Sequence, residues 1–226
     1  MKILFLYRYG ILGGVCTQLY HRLLNFDNSI EVHCGFRNDF GIAKMFDGLA
    51  KLHFDLTPNK IAKLLGKENF DIIIIIDTEE YLHAVKQTNH KAIVILEVHT
   101  SIERNLQYLS NLENSDIDAV IVVSEFMRHR VQQLTYKELV GLPIITFPNV
   151  VDSRIFSPKQ IEVNGPPVIG WVGKLDDHKN WKDYLQICSQ INLSNNDIEF
   201  WMIGGETSTE ATRNNFLKYA EKLDLL

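Results

Sequence analysis

The 226-residue sequence predicts an α/β fold built on parallel sheet, with a complete first unit and part of a second. Three observations carry that prediction. Short β-branched runs alternate with amphipathic helical stretches along the chain. Residues 70–77, FDIIIIID, place five consecutive isoleucines in one strand, which suits a central parallel strand buried on both faces. Residues 168–181, VIGWVGKLDDHKNW, run strand, glycine, cation, loop, cation, helix. An open α/β sheet holds an anionic ligand in this way, outside the carboxyl end of a strand and against a helix N-terminus.

Composition narrows the class. Apolar residues make up 46% of the chain and charged residues 23%, the balance of a globular protein. A net charge of −5 lacks the basic excess of general nucleic-acid binding. No run approaches the roughly 18 apolar residues that span a bilayer. The start, MKILFLYRYG, has neither the length nor the cleavage site of a signal peptide and reads as a first strand. Cys16, Cys34 and Cys188 show no CxxC spacing, which fits a reducing cytosol and argues against zinc.

The elements follow in order. Residues 2–7 form the first strand and residues 8–14 the loop after it, with Gly10, Gly13 and Gly14; Val15, Leu19, Leu23 and Leu24 then recur at helical spacing. The turn is not GxGxxG, and no ribose-binding acid follows the next strand, so a dinucleotide site is not indicated. Residues 30–34 read as a strand, 40–49 as a helix and 51–56 as a short strand. Thr57 is an N-cap with Pro58 at the first position of a helix reaching residue 67. Beyond the isoleucine strand come a helix over 79–87 and a strand over 92–98, ending at His99. Thr100 or Ser101 caps a helix with Ile102, Leu106, Leu109 and Leu112 on one face. A strand over 117–123 leads to Ser124 and a helix to residue 139. Its run Met127-Arg128-His129-Arg130 is either a solvated face or a point of peripheral membrane contact. Residues 143–147 complete the unit.

Residues 147–158, FPNVVDSRIFSP, and the strand–glycine–cation stretch together resemble two segments of the retaining GT-B glycosyltransferases of group 1, glycosyltransferase family four. The family's interdomain crossing reads Pro-Asn-Gly-Val-Asp and then Phe-x-Pro; Pro148, Asn149, Val151, Asp152, Phe156 and Pro158 match, with Val150 in place of the glycine. Its donor segment reads Gly-Arg-Leu and, a few residues on, Lys-Gly. Here these stand as Gly173-Lys174-Leu175 and Lys179-Asn180, so a lysine point charge replaces the arginine fork. The resemblance implies a GT-B-like architecture, with a Rossmann-like acceptor-side domain over residues 1–152 and the first part of a donor-side domain over 153–226. It implies transfer of a sugar, with retention, from a nucleotide-diphosphate sugar to an acceptor in polysaccharide or glycoconjugate synthesis, with no cofactor or metal.

The resemblance also assigns residues. His99 would face the transferred sugar as the catalytic-site histidine. Gly13 and Gly14 would admit the donor phosphate or the acceptor. Gly173, Lys174 and Lys179 would hold the diphosphate, with Gly204 and Gly205 near the nucleotide, and Ser124 and Asn149 are candidate contacts. From the residues alone, His99 equally suits a hydrogen-bonded strand end, Ser124 a helix cap, the glycine pair a steric turn and the two lysines a solvated loop. Asp176-Asp177-His178 suggests a metal-binding DxD, but adjacent aspartates point different ways, and no metal is expected.

The second unit holds 226 − 152 = 74 residues and two strands, where stable sheets have several. The family's further strands, its glutamate pair with seven residues between and its C-terminal helix do not occur in this sequence. Two classes of function remain: part of a glycosyltransferase, or a truncated, non-catalytic paralogue that binds a nucleotide or a partner. A GT-B-fold epimerase suits the fold but not residues 147–158. The unneighboured strand predicts an exposed apolar surface open to self-association. The expected location is the cytoplasm, at the inner membrane face if the basic run meets lipid.

Overall fold

The computed structural model describes residues 1–135, 141–158, 165–194, 197–204 and 209–226. They form two compact units, Met1–Ser157 and Pro158–Leu226. The division falls after Ser157 rather than after Asp152 because the turn between belongs to the first unit. The Asp152 carbonyl accepts the N–H groups of Ile155 and Phe156 at 3.0 and 2.9 Å, and the Phe156 ring sits edge-on to His21 at 5.9 Å.

Seven parallel strands build the first unit: β1 (Lys2–Ile11), β2 (Glu31–Phe40), β3 (Lys51–His53), β4 (Ile72–Ile76), β5 (Ile93–Val98), β6 (Ala119–Val122) and β7 (Ile144–Thr146). Their order is β3-β2-β1-β4-β5-β6-β7. Among the described residues, the α-helices that cover the sheet are α1 (Gly14–Leu23), α2 (Pro58–Leu65), α3 (Glu79–Lys86) and α4 (Glu125–Thr135). The isoleucine strand is central, as expected. Ile73 and Ile75 enter the core beneath α2, α3 and α4 with Ile61, Leu82 and Val131. Ile74 and Ile76 enter the opposite core with Cys16, Leu19 and Leu23 of α1. Each such side chain contributes roughly 1.5–3 kcal/mol by leaving water, and alternate burial on both faces explains why β4 needs no polar residue.

Several elements differ from the sequence expectation. β1 and β2 run ten residues each, and their pairing continues through Tyr9↔Asn38 and Ile11↔Phe40. Gly10 permits this, since a Cβ there would collide with the Asn38 carbonyl. The helix expected over 40–49 is a single 3₁₀ turn, Ala43–Phe46, bracketed by Gly41 and Gly48 at φ +88° and +72°, which a helix cannot absorb. The helix expected after Thr100 is two 3₁₀ turns, Glu103–Asn105 and Gln107–Asn111. Leu106, Leu109 and Leu112 are buried as anticipated, and their three-residue spacing is the 3₁₀ repeat rather than the α repeat. Thr57 caps α2 as expected, accepting the Lys60 N–H, with Pro58 at the helix start. The expected end of α4 falls at residues outside those described.

The second unit holds the parallel strands β8 (Val168–Gly173) and β9 (Glu199–Gly204) and the helices α5 (Trp181–Asn192) and α6 (Glu210–Lys222). One sheet face, with Ile169, Trp171, Phe200 and Met202, packs on a core of Trp181, Tyr184, Leu185, Cys188 and Ala220. The other face carries Val168, Val172, Trp201 and Ile203, all exposed, with Val172 at 76%. The expected apolar surface is therefore present. All three cysteines are buried and free.

Gly35 on β2 lies against Leu56 and Leu6, and a Cβ there would fall inside contact distance of both side chains. Gly35→Ala is expected to destabilise the first unit by about 1–3 kcal/mol through overpacking. Urea unfolding should show a lowered midpoint with an unchanged slope.

Candidate functional site

The sheet order reverses direction between β1 and β4, and such a switch point opens a crevice at the carboxyl ends of the strands. A cavity of about 700 Å³ lies there. Tyr7 and Tyr9 reach it from β1, Asp77 from the end of β4, and His99 and Thr100 from the end of β5. The two 3₁₀ turns contribute Arg104 and Tyr108. Asp77 shapes the turn after β5. Its backbone is left-handed at φ +44°, and its carboxylate accepts the His99 N–H at 3.0 Å and the Thr100 N–H at 3.1 Å. Burial pushes the Asp77 carboxyl up, against the pull of those N–H groups and of His99.

Beside the cavity lies a buried charge cluster. Glu97, the one acid on β5, is 1% exposed at its side chain. The Arg22 guanidinium on α1 donates to both of its oxygens at 2.8 Å. His99 Nε2 stands 2.6 Å from Glu97 Oε1. Burial alone would raise the Glu97 carboxyl; the hydrogen bonds from His99 and Arg22 outweigh it and hold the group at about 2. A carboxylate only accepts, so Nε2 of His99 carries the hydrogen, and Nδ1 is the nitrogen left for a ligand. Arg22 also lies 5.0 Å over the Phe147 ring.

The expected site residues divide between the two units. His99 stands at the carboxyl edge of β5, lining the cavity with its side chain 10% exposed. Gly13 precedes α1 in extended backbone, and Gly14 opens the helix. A Cβ at Gly14 would meet nothing within 4 Å, and one at Gly13 only the Ile11 carbonyl at 4.0 Å. Packing therefore does not demand a glycine at either position, and the space beside them is open. Ser124 Oγ accepts the Met127 N–H at 3.2 Å, the bond of an N-cap. Asn149 is exposed beyond β7. In the basic run, Arg128 pairs with Glu125 at 3.6 Å and Arg130 with Glu103 at 3.1 Å. Among the described residues, no helix is long and apolar enough to cross a membrane.

In the second unit, Gly173 and Gly204 are register partners at the carboxyl ends of β8 and β9. Gly204 has φ +130°, and a Cβ on it would strike the Gly173 carbonyl, so the strand ends approach as only glycine allows. Lys174 and Lys179 are exposed on the loop that follows. Neither ammonium has an acid within ion-pair distance among the described residues, whereas Asp177 pairs with Lys182 at 3.1 Å. The Lys179 carbonyl accepts the Trp171 indole N–H at 3.0 Å, which pins the loop to β8. Asn180, where the resembled pattern has glycine, is left-handed at φ +51°, a conformation asparagine tolerates better than most residues. Helix α5 opens directly after it. Gly205 lies outside the described residues.

Sequence reasoning missed Glu97, Arg22, Asp77 and Tyr108. The signal for Glu97 was present: one acid inside the apolar strand AIVILEV demands a buried partner. The identity of that partner, 75 residues away, was not readable.

No family model matches the chain, and no curated protein does. Solved structures do. HepE from Anabaena, in complex with UDP and glucose, superposes with a TM-score of 0.74 at 18% identity, covering 100% of this chain and 67% of HepE. The same protein in complex with UDP-glucose matches at 0.74 and 16%, with 66% of its chain covered. A glycosyltransferase from Rickettsia africae ESF-5 gives 0.69 at 16% identity, with 99% and 65% covered. TarM gives 0.74 at 12%, with 98% and 74% covered. These likenesses establish the fold: α/β, with a Rossmann-like seven-stranded parallel sheet, matching glycosyltransferase neighbours of GT-B type. The chain spans about two thirds of the length of the first of them.

Removing the Glu97 charge leaves Arg22 buried without its partner. Glu97→Gln is expected to cost about 3–5 kcal/mol at neutral pH. Because the folded carboxyl lies below its ordinary value of 4.5, its contribution is complete above about pH 4.5 and is lost as pH falls toward about 2. Urea unfolding of parent and variant across that range should show their stability difference shrinking with acid.

Proposed function

We propose that this chain forms the acceptor-side domain and the opening of the donor-side domain of a retaining glycosyltransferase. In this reading it takes a sugar from a nucleotide-diphosphate sugar and passes it to an acceptor in polysaccharide or glycoconjugate synthesis. The observation that carries the reading is the end of the β8–β9 pair. There Gly173 and Gly204 close two parallel strands beside two exposed lysines with no acid partner among the described residues, directly before α5. As the bond from the sugar to the diphosphate breaks, negative charge develops on the leaving group. Lys174, Lys179 and the free N–H groups of the first turn of α5 supply fixed positive charge for it. In this reading lysine charge serves where a metal would otherwise be needed. HepE, whose structures contain UDP and UDP-glucose, supports a nucleotide sugar as the ligand class.

Retention follows if the acceptor attacks from the face the diphosphate leaves, with a leaving phosphate oxygen taking the acceptor proton. His99 then meets the transferred sugar. Its ring is oriented by Glu97, so it offers Nδ1 rather than Nε2. Buried free thiols suit the cytoplasm as the place of action. The second reading, a non-catalytic binding paralogue, is favoured by the open apolar face of β8 and β9, which a partner would cover. Sugar transfer by the chain separates the two.

Each charge-assisted hydrogen bond to a diphosphate contributes roughly 1.5–3 kcal/mol. Lys174→Ala or Lys179→Ala should therefore weaken binding of a nucleoside diphosphate by about tenfold to a hundredfold. Lys174→Arg should preserve it, and Lys179→Glu should bind worse than Lys179→Ala. Calorimetric titration at two salt concentrations tests this. Unchanged binding by both alanine variants would remove the donor-site assignment.

A further inference from the structure

We infer that the stacked imidazoles of His33 and His53 form an acid-released latch on β3, which holds this edge strand to β2 at neutral pH and frees it once both rings are protonated. Neither histidine lines the cavity at the strand ends, and the latch does not depend on the glycosyltransferase reading.

Strand β3 has little else to fasten it. It has three residues and stands at the sheet edge, with β2 as its one ladder partner among the described residues. Side chains add to that short ladder. Phe54 stacks on Phe36 at 5.8 Å, and His53 reaches His33 on β2. The two imidazoles stack with centroids 5.1 Å apart, and His53 Nε2 stands 2.9 Å from His33 Nδ1. His33 is wholly buried. Alternate residues of β2 share a face, so Glu31 meets the same ring from its other side, with Oε1 2.8 Å from Nε2. The Phe70 ring closes edge-on at 5.0 Å.

The hydrogens decide what the pair can hold. The Glu31 carboxylate only accepts, so His33 Nε2 donates to it. Between the rings, one nitrogen must donate and the other accept. That condition is met when both rings are neutral and His53 gives its hydrogen to His33. It is also met when one ring carries an extra proton. A second extra proton puts a hydrogen on both facing nitrogens, so the bond is lost and two like charges stand together. The neighbouring charges do not compensate. Lys2 of β1 pairs with Glu31 at 3.2 Å and with Glu68, and Lys51 of β3 pairs with Glu68 at 3.4 Å, so two cations already answer two acids. The Asp71 carboxylate accepts the Lys2 backbone N–H at 2.6 Å. Burial, with the charges of His33 and Lys51 beside it, holds His53 below its ordinary value of 6.5. A released β3 leaves both rings free to take protons as pH falls through that value, while the closed pair refuses one. The latch is therefore intact above 6.5 and is lost with acid by about tenfold per pH unit, the slope of one proton. Glu97 loses its contribution further down, toward about 2.

Hydrogen exchange of the intact chain tests the latch. The protected amides of residues 51–56 include that of Leu56, which donates to the Phe36 carbonyl at 3.0 Å. Their protection, corrected for the intrinsic effect of pH on exchange, should be constant above about pH 7 and fall about tenfold per pH unit once the second proton is taken up. The amides of β4 and β5 should keep theirs over the same range. His53→Gln, whose side-chain amide still donates to His33 Nδ1 but takes no proton, should remove the pH dependence. Long-range nitrogen–proton NMR of the parent imidazoles gives a measurement that needs no variant: the second proton should bind in the pH interval where residues 51–56 lose protection. The latch is overturned if that protection is the same at about pH 7.5 and about pH 5, or if His53→Gln loses it with acid as the parent does. It is equally overturned if both rings become imidazolium while β3 stays closed.

Discussion

The first unit depends on a pair of charges held almost entirely out of water. Burying a carboxylate and a guanidinium costs several kcal/mol for each ion, so Glu97 and Arg22 are tolerable only as a closely bonded pair. The two 2.8 Å contacts supply that geometry, His99 adds a third donor, and the Phe147 ring takes the guanidinium face. Four parts of the unit are joined through this ion pair: the last turn of α1, strand β5 and the turn that carries His99 through Glu97, and the residue that follows β7 through Arg22. The side chain best placed to meet a ligand is thereby held from behind by a group that cannot itself reach solvent.

Asp77 makes a second constraint on the same edge. Its left-handed backbone turns the chain out of β4, and its carboxylate gathers the first two N–H groups after β5. Residues held in such conformations persist where surrounding bonds over-determine them. Here the bonds come from the neighbouring strand, so the two strand ends that border the cavity hold each other in place. The cavity is also lined by the two 3₁₀ turns, whose leucines are buried and whose amide-bearing residues are exposed.

The two units carry different chemistry on comparable scaffolds. In both, parallel strands end at a loop that leads into a helix, and in both the functional groups sit past the carboxyl ends. The first unit offers tyrosine rings, amide-bearing residues and charges of both signs; the second offers exposed ammonium groups beside a glycine pair. The fold does not decide this division. It comes from which residue types stand in the loops.

Features that depend on neighbours along the chain were determined by the sequence itself. Five isoleucines in a row specified a strand buried on both faces. Thr57-Pro58 and Ser124 marked helix starts, because a cap needs only the next three residues. Gly173, Lys174 and Lys179 marked a strand end and its cations. Tertiary structure decided what distant residues must settle between them. The length of β1 and β2 came from their ladder, which runs on past Gly10 because a glycine there clears the Asn38 carbonyl. Leu106, Leu109 and Leu112 showed which side would be buried, but packing chose the three-residue repeat over the α-helix. The partner of Glu97 lay 75 residues away, and the hydroxyl of Tyr108, unpaired among the described residues, is buried only because other elements enclose it. Periodicity and capping are short-range properties that a sequence displays directly; register, ion pairing and burial of a polar atom are long-range ones that exist only once the chain is folded.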